Sequence, residues 1–221
     1  MGNKKIVTKA YNKIAEIAEF NSLELDIEND ETKFISLFLS LFNGNNLIDL
    51  GCGCGRLDNY IHRKTGVDIV GYDISEGMLK KANEKNLFPN HITYRLSDMQ
   101  SIKPSICFDA ALLSFSLIHL TDKQANETIS NLYRFLNDGA LIYISVLKGE
   151  KELGYISDPL DPLIPTYVNL FAESAIRKML EDGGFRIYQL FFGIDDNPVA
   201  FTREAMYILA KKGDKGVLDY V

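Results

Sequence analysis

The most constraining feature of this sequence is a short strand-like segment, Asn46 to Leu50, with Leu47, Ile48 and Leu50 apolar, that enters Gly51-Cys52-Gly53-Cys54-Gly55 with no intervening residue. A strand followed by alternating glycines forces a tight turn, because residues without Cβ accept backbone conformations closed to others. The amphipathic stretch after it, to about Lys64, predicts a helix leaving that turn. A strand, glycine turn and helix in this order begin an α/β unit with parallel strands.

The same alternation recurs downstream. Val67 to Tyr72 reads as a second strand ending at Asp73, and Ser75 as the cap of a helix over 76–85. Ile92 to Arg95 and Phe108 to Phe115 read as strands three and four. Thr121 and Gln124 have capping-box spacing for a helix running to about Leu136, which Asn137-Asp138-Gly139 ends. Ala140 to Leu147 is a fifth strand, followed by a helix at about 172–182 stopped by Gly183-Gly184. Phe185 to Phe192 and Ala205 to Ala210 leave no room for a helix between them, so they are expected as an antiparallel pair at the sheet edge. Upstream, Ile6, Ala10, Ile14, Ile17 and Ala18 share one helical face over 4–19. Asp30 is a candidate cap for a helix carrying Phe34, Leu37, Phe38 and Leu41.

The expected fold is therefore α/β: a Rossmann-like, seven-stranded, mostly parallel sheet with an antiparallel C-terminal edge pair and helices on both faces. The 221 residues suit one domain, 1–221. Its parts would be N-terminal helices over 1–43, a ligand-binding core over 44–147, a candidate lid over 148–170 and a C-terminal helix and strand pair over 171–221.

Composition enters as a filter. Apolar residues at 46% and charged residues at 24% are ordinary for a globular domain. A formal charge of −6 weighs against a nucleic-acid partner, whose phosphates are usually met by clustered Lys and Arg. The longest apolar run, Phe34 to Phe42, is nine residues interrupted by two serines, against the ~20 that span a bilayer. Ile6 stands where a myristoylation start needs Ser or Thr. With no signal-peptide core at the N-terminus and three cysteines that make no disulfide framework, the sequence reads as cytoplasmic. Cys52 and Cys54 offer two thiols with no nearby residues to complete a metal set, so no metal is expected.

In an open parallel sheet, ligands bind where strands end and helices begin. Three carboxylates sit there: Asp49 beside the glycine loop, Asp73 at the end of strand two and Asp98 just past strand three. Asp73 and Asp98 alone read equally well as caps or turn residues; together after successive strands with the glycine loop they point to a site. The dinucleotide fingerprint G-x-G-x-x-G is broken, since Arg56 stands where its third glycine belongs. Asp73, eighteen positions after Gly55, suits a ribose diol in either reading. Asp98 would repel a phosphate-bearing cofactor but not a cationic one.

Leu47 to Gly55 resembles the first motif of class I S-adenosylmethionine-dependent methyltransferases. Val70 to Leu79 resembles their second, Ser97-Asp98-Met99 the third, and Phe108-Asp109-Ala110-Ala111 the fourth. The likeness spans roughly residues 44–147. It implies S-adenosyl-L-methionine as cofactor, with Gly51, Gly53 and Gly55 under its methionine end and Asp49 near its ammonium. It implies Asp73 on both ribose hydroxyls, Ile74 and Met78 against the adenine, and Asp98 and the Met99 N–H at the adenine edge. Ser114 would line the methionine side, and Tyr11 would close over the cofactor. Met78 and Tyr11 also read as plain packing residues, and Asp109 as solvation of a strand start.

His119, after strand four, is the candidate catalytic base, with an orienting or structural histidine as the alternative. His62 and His91 fall on expected exposed positions. Leu113-Ser114-Phe115-Ser116 lacks the Asn/Asp-Pro-Pro-aromatic and Pro-Cys motifs of DNA methyltransferases, and Asp158-Pro159 and Asp161-Pro162 lie after strand five. The resemblance thus implies a small-molecule methyl acceptor. Its pocket is expected between the N-terminal helices and 148–170, where Tyr155 and Tyr167 lie. Two other readings share these features: a non-catalytic S-adenosylmethionine-binding regulator and a nicotinamide-dependent oxidoreductase.

Overall fold

A computed structural model describes residues 2–17, 30–150, 153–157, 163–195 and 203–213. The elements run α1 (Asn3–Ile14), α2 (Asp30–Leu41), β1 (Asn46–Leu50), α3 (Arg56–Thr65), β2 (Asp68–Asp73), α4 (Glu76–Lys85), β3 (Ile92–Leu96) and β4 (Phe108–Ser114). A 3₁₀ turn (Leu117–His119) follows, then α5 (Asp122–Leu132), β5 (Leu136–Leu147), β6 (Gly154–Ser157), β7 (Pro165–Val168), α6 (Glu173–Asp182), β8 (Phe185–Asp195) and β9 (Arg203–Lys212). Seven strands form one sheet in the order β3-β2-β1-β4-β5-β9-β8. The first five are parallel; β9 is antiparallel to both β5 and β8, which forms the edge.

Residue alternation assigns side chains to the two faces of this sheet. Leu47, Ala110, Leu112, Leu141, Tyr143 and Tyr207 pack on one face with Ile35 and Phe38 of α2 and Leu57 and Ile61 of α3. The intervening Ile48, Leu50, Ala111, Leu113, Ile142 and Ile144 pack on the other with Ala125 and Ile129 of α5 and Ile176 and Leu180 of α6. Both faces are covered, so the central strands are nearly continuous apolar runs.

Helix ends follow their local chemistry. The Ser75 hydroxyl accepts from the Met78 N–H, and Thr121 with Gln124 forms the expected reciprocal box. The first helix buries Val7, Ala10 and Ile14, whereas Ile6 and Ile17 are only partly buried; Ala18 lies outside the described residues. The expected helix to Leu136 ends instead at Leu132, and a 3₁₀ turn over Tyr133–Phe135 leads into β5. Leu136 already pairs with Phe108, so 137–139 is a bulge inside the strand, with Gly139 at φ 74°. Tertiary pairing to β4 overrode the turn signal.

The described residues of 148–170 include a strand pair. Gly154–Ser157 pairs antiparallel with Pro165–Val168 in a register that sets Tyr155 opposite Tyr167, the two rings meeting edge-on. Asn169 ties the end of this ladder down, donating to the Leu120 carbonyl at 3.1 Å and the Asp122 carboxylate at 2.8 Å. Asp158, Pro159, Asp161 and Pro162 lie outside the described residues.

Two polar residues do more than their sequence positions suggest. His62, expected exposed, is buried at 7%, its Nδ1 donating to the Val67 carbonyl and its ring stacked on His91. Asp109, expected only to solvate a strand start, fastens three strand starts together. One of its oxygens accepts from the Asn45 and Asn46 amides at 2.8 and 3.3 Å, the other from the Asn137 side chain at 2.8 Å. The Asn46 side chain accepts from the Asp109 N–H in return. Burial works to raise this carboxyl, but those bonds outweigh it and hold its pKa below the ordinary value.

Asp109→Ala is expected to destabilise the fold by about 0.5–1.5 kcal/mol, the net worth of hydrogen bonds whose freed donors water can reach. Because the carboxyl is depressed in the folded state, its contribution is full above the ordinary Asp pKa of about 3.9 and is lost as pH falls below it. Thermal melts should therefore separate mutant from parent clearly at neutral pH and much less in acid.

Candidate functional site

The carboxyl ends of β1, β2 and β4 open onto one edge of the sheet, and the glycine loop is fixed across it. The Gly51 and Cys52 amides both donate to the Tyr72 carbonyl, at 2.7 and 3.1 Å, and Gly55 N–H closes the loop onto the Cys52 carbonyl at 3.0 Å. Gly51, Gly53 and Gly55 all have positive φ, at 83°, 55° and 71°. At Gly55 the need for glycine is also steric, since a Cβ there would stand 2.1 Å from the Tyr94 hydroxyl. At Gly53 the space beside the backbone is open within 4 Å, which leaves that side of the loop to a ligand.

Asp73, the last residue of β2, is held against this loop. Its carboxylate accepts from the Gly53 N–H at 2.9 Å and the Ser75 N–H at 2.8 Å. Burial raises its pKa, and the amides of Ser75, Gly53 and Ile74 offset this only in part. Ile74, next to it, is half-buried, while Met78 is fully buried among Ala10, Ile14, Cys54 and Ile164. Asp98 accepts from the Gln100 N–H at 3.0 Å and forms an ion pair with Lys4 of α1 at 2.8 Å; Met99 is partly buried beside it.

Helix α1 covers the site, anchored by a residue with no motif to announce it. Asn12 accepts from the Ser75 hydroxyl at 2.7 Å and the Gly77 N–H at 2.9 Å, which seats α1 on the start of α4. Its neighbour Tyr11 packs with Cys54 of the loop. The Tyr11 hydroxyl lies 2.7 Å from His119 Nε2, and His119 Nδ1 lies 2.9 Å from the Tyr167 carbonyl. A carbonyl only accepts, so Nδ1 carries the hydrogen; Nε2 is then an acceptor, and Tyr11 donates to it. Burial lowers the His119 pKa to about 4, with the Tyr167 bond opposing, so the ring is neutral at physiological pH.

Ser114 ends β4, and Phe115 after it has φ 45°, a left-handed conformation that costs a bulky side chain energy and tends to cluster at functional sites. The Ser114 hydroxyl donates to Glu31, a buried α2 residue that also pairs with Arg56 at 2.7 Å. Asp49 is 3% exposed, and its Oδ1 is buried without a donor. The carboxyl of Asp58 is the group that faces it, so this buried pair is short of a hydrogen-bond donor. Among the described residues no cluster of His, Cys, Asp and Glu is arranged to hold a metal ion.

The structure thus places Asp49, the three glycines, Asp73, Ile74, Ser114 and His119 at or just past the carboxyl ends of the strands, with Tyr11 above them on α1 and Asp98 and Met99 past β3. Sequence reasoning missed Asn12, Glu31 and Asp58. Asn12 and Glu31 belong to helices whose position over the sheet no local pattern reveals. Asp58 was legible as a polar residue on the helix face that also carries Leu57 and Ile61.

A family model described as a methyltransferase domain matches residues 47–139. The chain is similar to demethylmenaquinone methyltransferase of Tropheryma whipplei (strain Twist), 28% identical over 138 residues, or 62% of this chain and 54% of the relative. It is also similar to phosphoethanolamine N-methyltransferase 1 of Caenorhabditis elegans, 23% identical over 150 residues, or 65% of this chain and 31% of the relative. The matches thus span about half or less of these relatives' own length. Among solved structures, magnesium protoporphyrin IX methyltransferase from Synechocystis PCC 6803, with bound SAM, superposes with a TM-score of 0.71 at 19% identity. That match covers 96% of this chain and 98% of the other, and the likeness is one of fold.

The His119 environment yields a direct expectation. Imidazole NMR should show an Nδ1–H tautomer that stays neutral well below pH 6.5 and titrates only near 4. An unfolded His takes its proton at about 6.5, so stability rises with pH between the two values and this contribution is complete above the upper one.

Proposed function

We propose, from the match of residues 47–139 to a methyltransferase domain, that this chain is a class I enzyme that binds S-adenosylmethionine and methylates a small-molecule amine or hydroxyl. When bound, the cofactor supplies a methyl group on a positively charged sulfur, activated for in-line transfer. The residues then need only position both reactants and exclude water, and such positioning is worth as much as ~7–11 kcal/mol.

In this reading Asp73 takes the ribose hydroxyls, its other lone pairs being held in place by the Gly53 and Ser75 amides. Ile74 and Met78 lie on the adenine side, with Asp98 and the Met99 N–H at the adenine edge. Gly51, Gly53 and Gly55 allow close approach of the methionine end, Asp49 faces its ammonium, and Ser114 lines the same side. A nicotinamide dinucleotide is disfavoured because Arg56 replaces the third glycine and is committed to Glu31.

The observation that carries the acceptor class is the chain of bonds from Tyr11 through His119 to the Tyr167 carbonyl. Since Tyr11 gives its hydrogen to His119, it meets an acceptor molecule with lone pairs. It therefore selects a nucleophile that carries a hydrogen, as an amine or hydroxyl does. Placing a full proton on His119 is costly: the drop from 6.5 to about 4 is worth about 3 kcal/mol. His119 thus serves better to orient Tyr11, and through it the nucleophile, than to store a proton. The names of the relatives, a quinone and an amine methyltransferase, support a small acceptor. The ladder of 154–157 with 165–168 would close the acceptor side, with Tyr155 exposed to an incoming molecule at 55%. Among the described residues no helix is long and apolar enough to cross a membrane. With free Cys52, Cys54 and Cys107, this supports a cytoplasmic assignment.

Calorimetry should detect S-adenosylhomocysteine and no comparable NADH binding; the reverse preference would overturn this reading. Asp73→Ala is expected to weaken that binding by about 1.5–3 kcal/mol per lost charge-assisted bond while the protein stays folded. With an amine and phenol panel as acceptors, Tyr11→Phe should lower kcat on the order of 10²-fold and leave cofactor affinity nearly unchanged. His119→Ala should add little to Tyr11→Phe, because the two act as one unit.

A further inference from the structure

The carboxyls of Asp49 and Asp58 face each other beneath the glycine loop, the first from β1 and the second from the first turn of α3. They are 3% and 0% exposed. Were both ionised, Asp49 Oδ1 and both oxygens of Asp58 would be buried with no donor, and two like charges would sit in contact away from water. One proton shared between them removes both penalties: the Asp49 carboxyl donates to the Asp58 carboxylate. The Tyr94 hydroxyl from β3, which otherwise has no acceptor, faces Asp58 and supplies a second donor.

The other groups facing this pair favour the same protonation. Asp73 from β2 and Glu31 from α2 add negative charge around Asp49. The Cys52 thiol of the loop is kept neutral, pushed up by burial and the surrounding carboxylates. Arg56, the nearby cation, is paired with Glu31. Burial first, then Asp58, Asp73 and Glu31, raise the Asp49 carboxyl well above the ordinary range. Burial raises Asp58 only to about 6, because the bonds from Asp49 and Tyr94 favour its ionised form. Both carboxyls are thus raised, and the pair holds one proton between them.

We propose that Asp58 is a positioning residue for the cofactor site: it keeps a proton on Asp49 in the free protein, which a ligand ammonium settling beside Asp49 displaces to solvent. The inference rests on the proposed placement of the cofactor's ammonium near Asp49. In the step, the Asp49 O–H bond breaks, its proton passes to water or buffer, and the carboxylate takes the ammonium as its new partner. Binding is then linked to pH, growing stronger as pH rises until Asp49 loses its proton unaided.

The test is calorimetric titration of the protein with S-adenosylhomocysteine in two buffers of different ionisation enthalpy. At about pH 6.5 the ligand's own α-amino group stays charged. The expected result is release of up to about one proton per ligand bound, with affinity rising by at most about tenfold per pH unit. In Asp58→Asn the release should shrink and the affinity should level off at lower pH, since burial remains but the Asp58 charge that adds to it is gone. Should that variant fail to fold, infrared difference spectra of the parent protein decide: a protonated carboxyl band present in the free protein should vanish on ligand addition. Binding with no proton released, a band that persists, or full release retained in Asp58→Asn would overturn the inference and leave the proposed function standing. No binding of S-adenosylhomocysteine at all would overturn both.

Discussion

The Tyr72 carbonyl accepts two successive amides, those of Gly51 and Cys52, and the site depends on that junction. Parallel pairing brings β1 and β2 to the same sheet edge, but pairing ends at Leu50 and Tyr72 and leaves the Tyr72 carbonyl to be satisfied. The loop turns back to satisfy it, and the turn needs left-handed backbone at alternate residues, which glycine accepts at little cost. Once the loop is pinned, the Gly53 amide reaches Asp73 and the start of α3 brings Asp58 under Asp49. The loop's geometry therefore sets the positions of three carboxylates at once.

The N-terminal helix α1 lies across the strand-end loops. It is held through side chains: Asn12 on Ser75 and Gly77, Lys4 on Asp98, and Tyr11 on His119. These contacts reach three different loops of the sheet edge. The ladder formed by β6 and β7 lies next to α1 and fixes the His119 tautomer through a backbone carbonyl. That arrangement is insensitive to the identity of residue 167, since a main-chain oxygen does the work.

Charge is managed in the same region by three devices. Glu31 is neutralised by Arg56, Asp73 is stabilised by backbone amides, and Asp49 with Asp58 holds one proton between two carboxyls. Each is the least costly solution available at its depth: an ion pair where a guanidinium reaches, amides where the strand ends, and a shared proton where neither is at hand.

Sequence alone determined the α/β alternation, the sheet's parallel core, the antiparallel edge pair and the strand-end positions of Asp49, Asp73 and Asp98. These follow from local periodicity and glycine placement, which act over a few residues. It also determined the caps at Ser75 and Thr121, whose partners lie three positions away. Only the tertiary structure decided that 137–139 is a strand bulge, that 148–170 carries a ladder, that His62 is buried and that Asp109 joins three strand starts. It likewise decided which way His119 faces, and that Asn12, Glu31 and Asp58 belong to the site. Each of those outcomes rests on a contact between residues far apart in sequence: Asn12 meets Ser75, Glu31 meets Ser114, and Tyr11 meets His119 only once the chain has closed. Hydrogen-bond partners and the dielectric around a carboxyl are properties of that closed arrangement, and no local pattern encodes them.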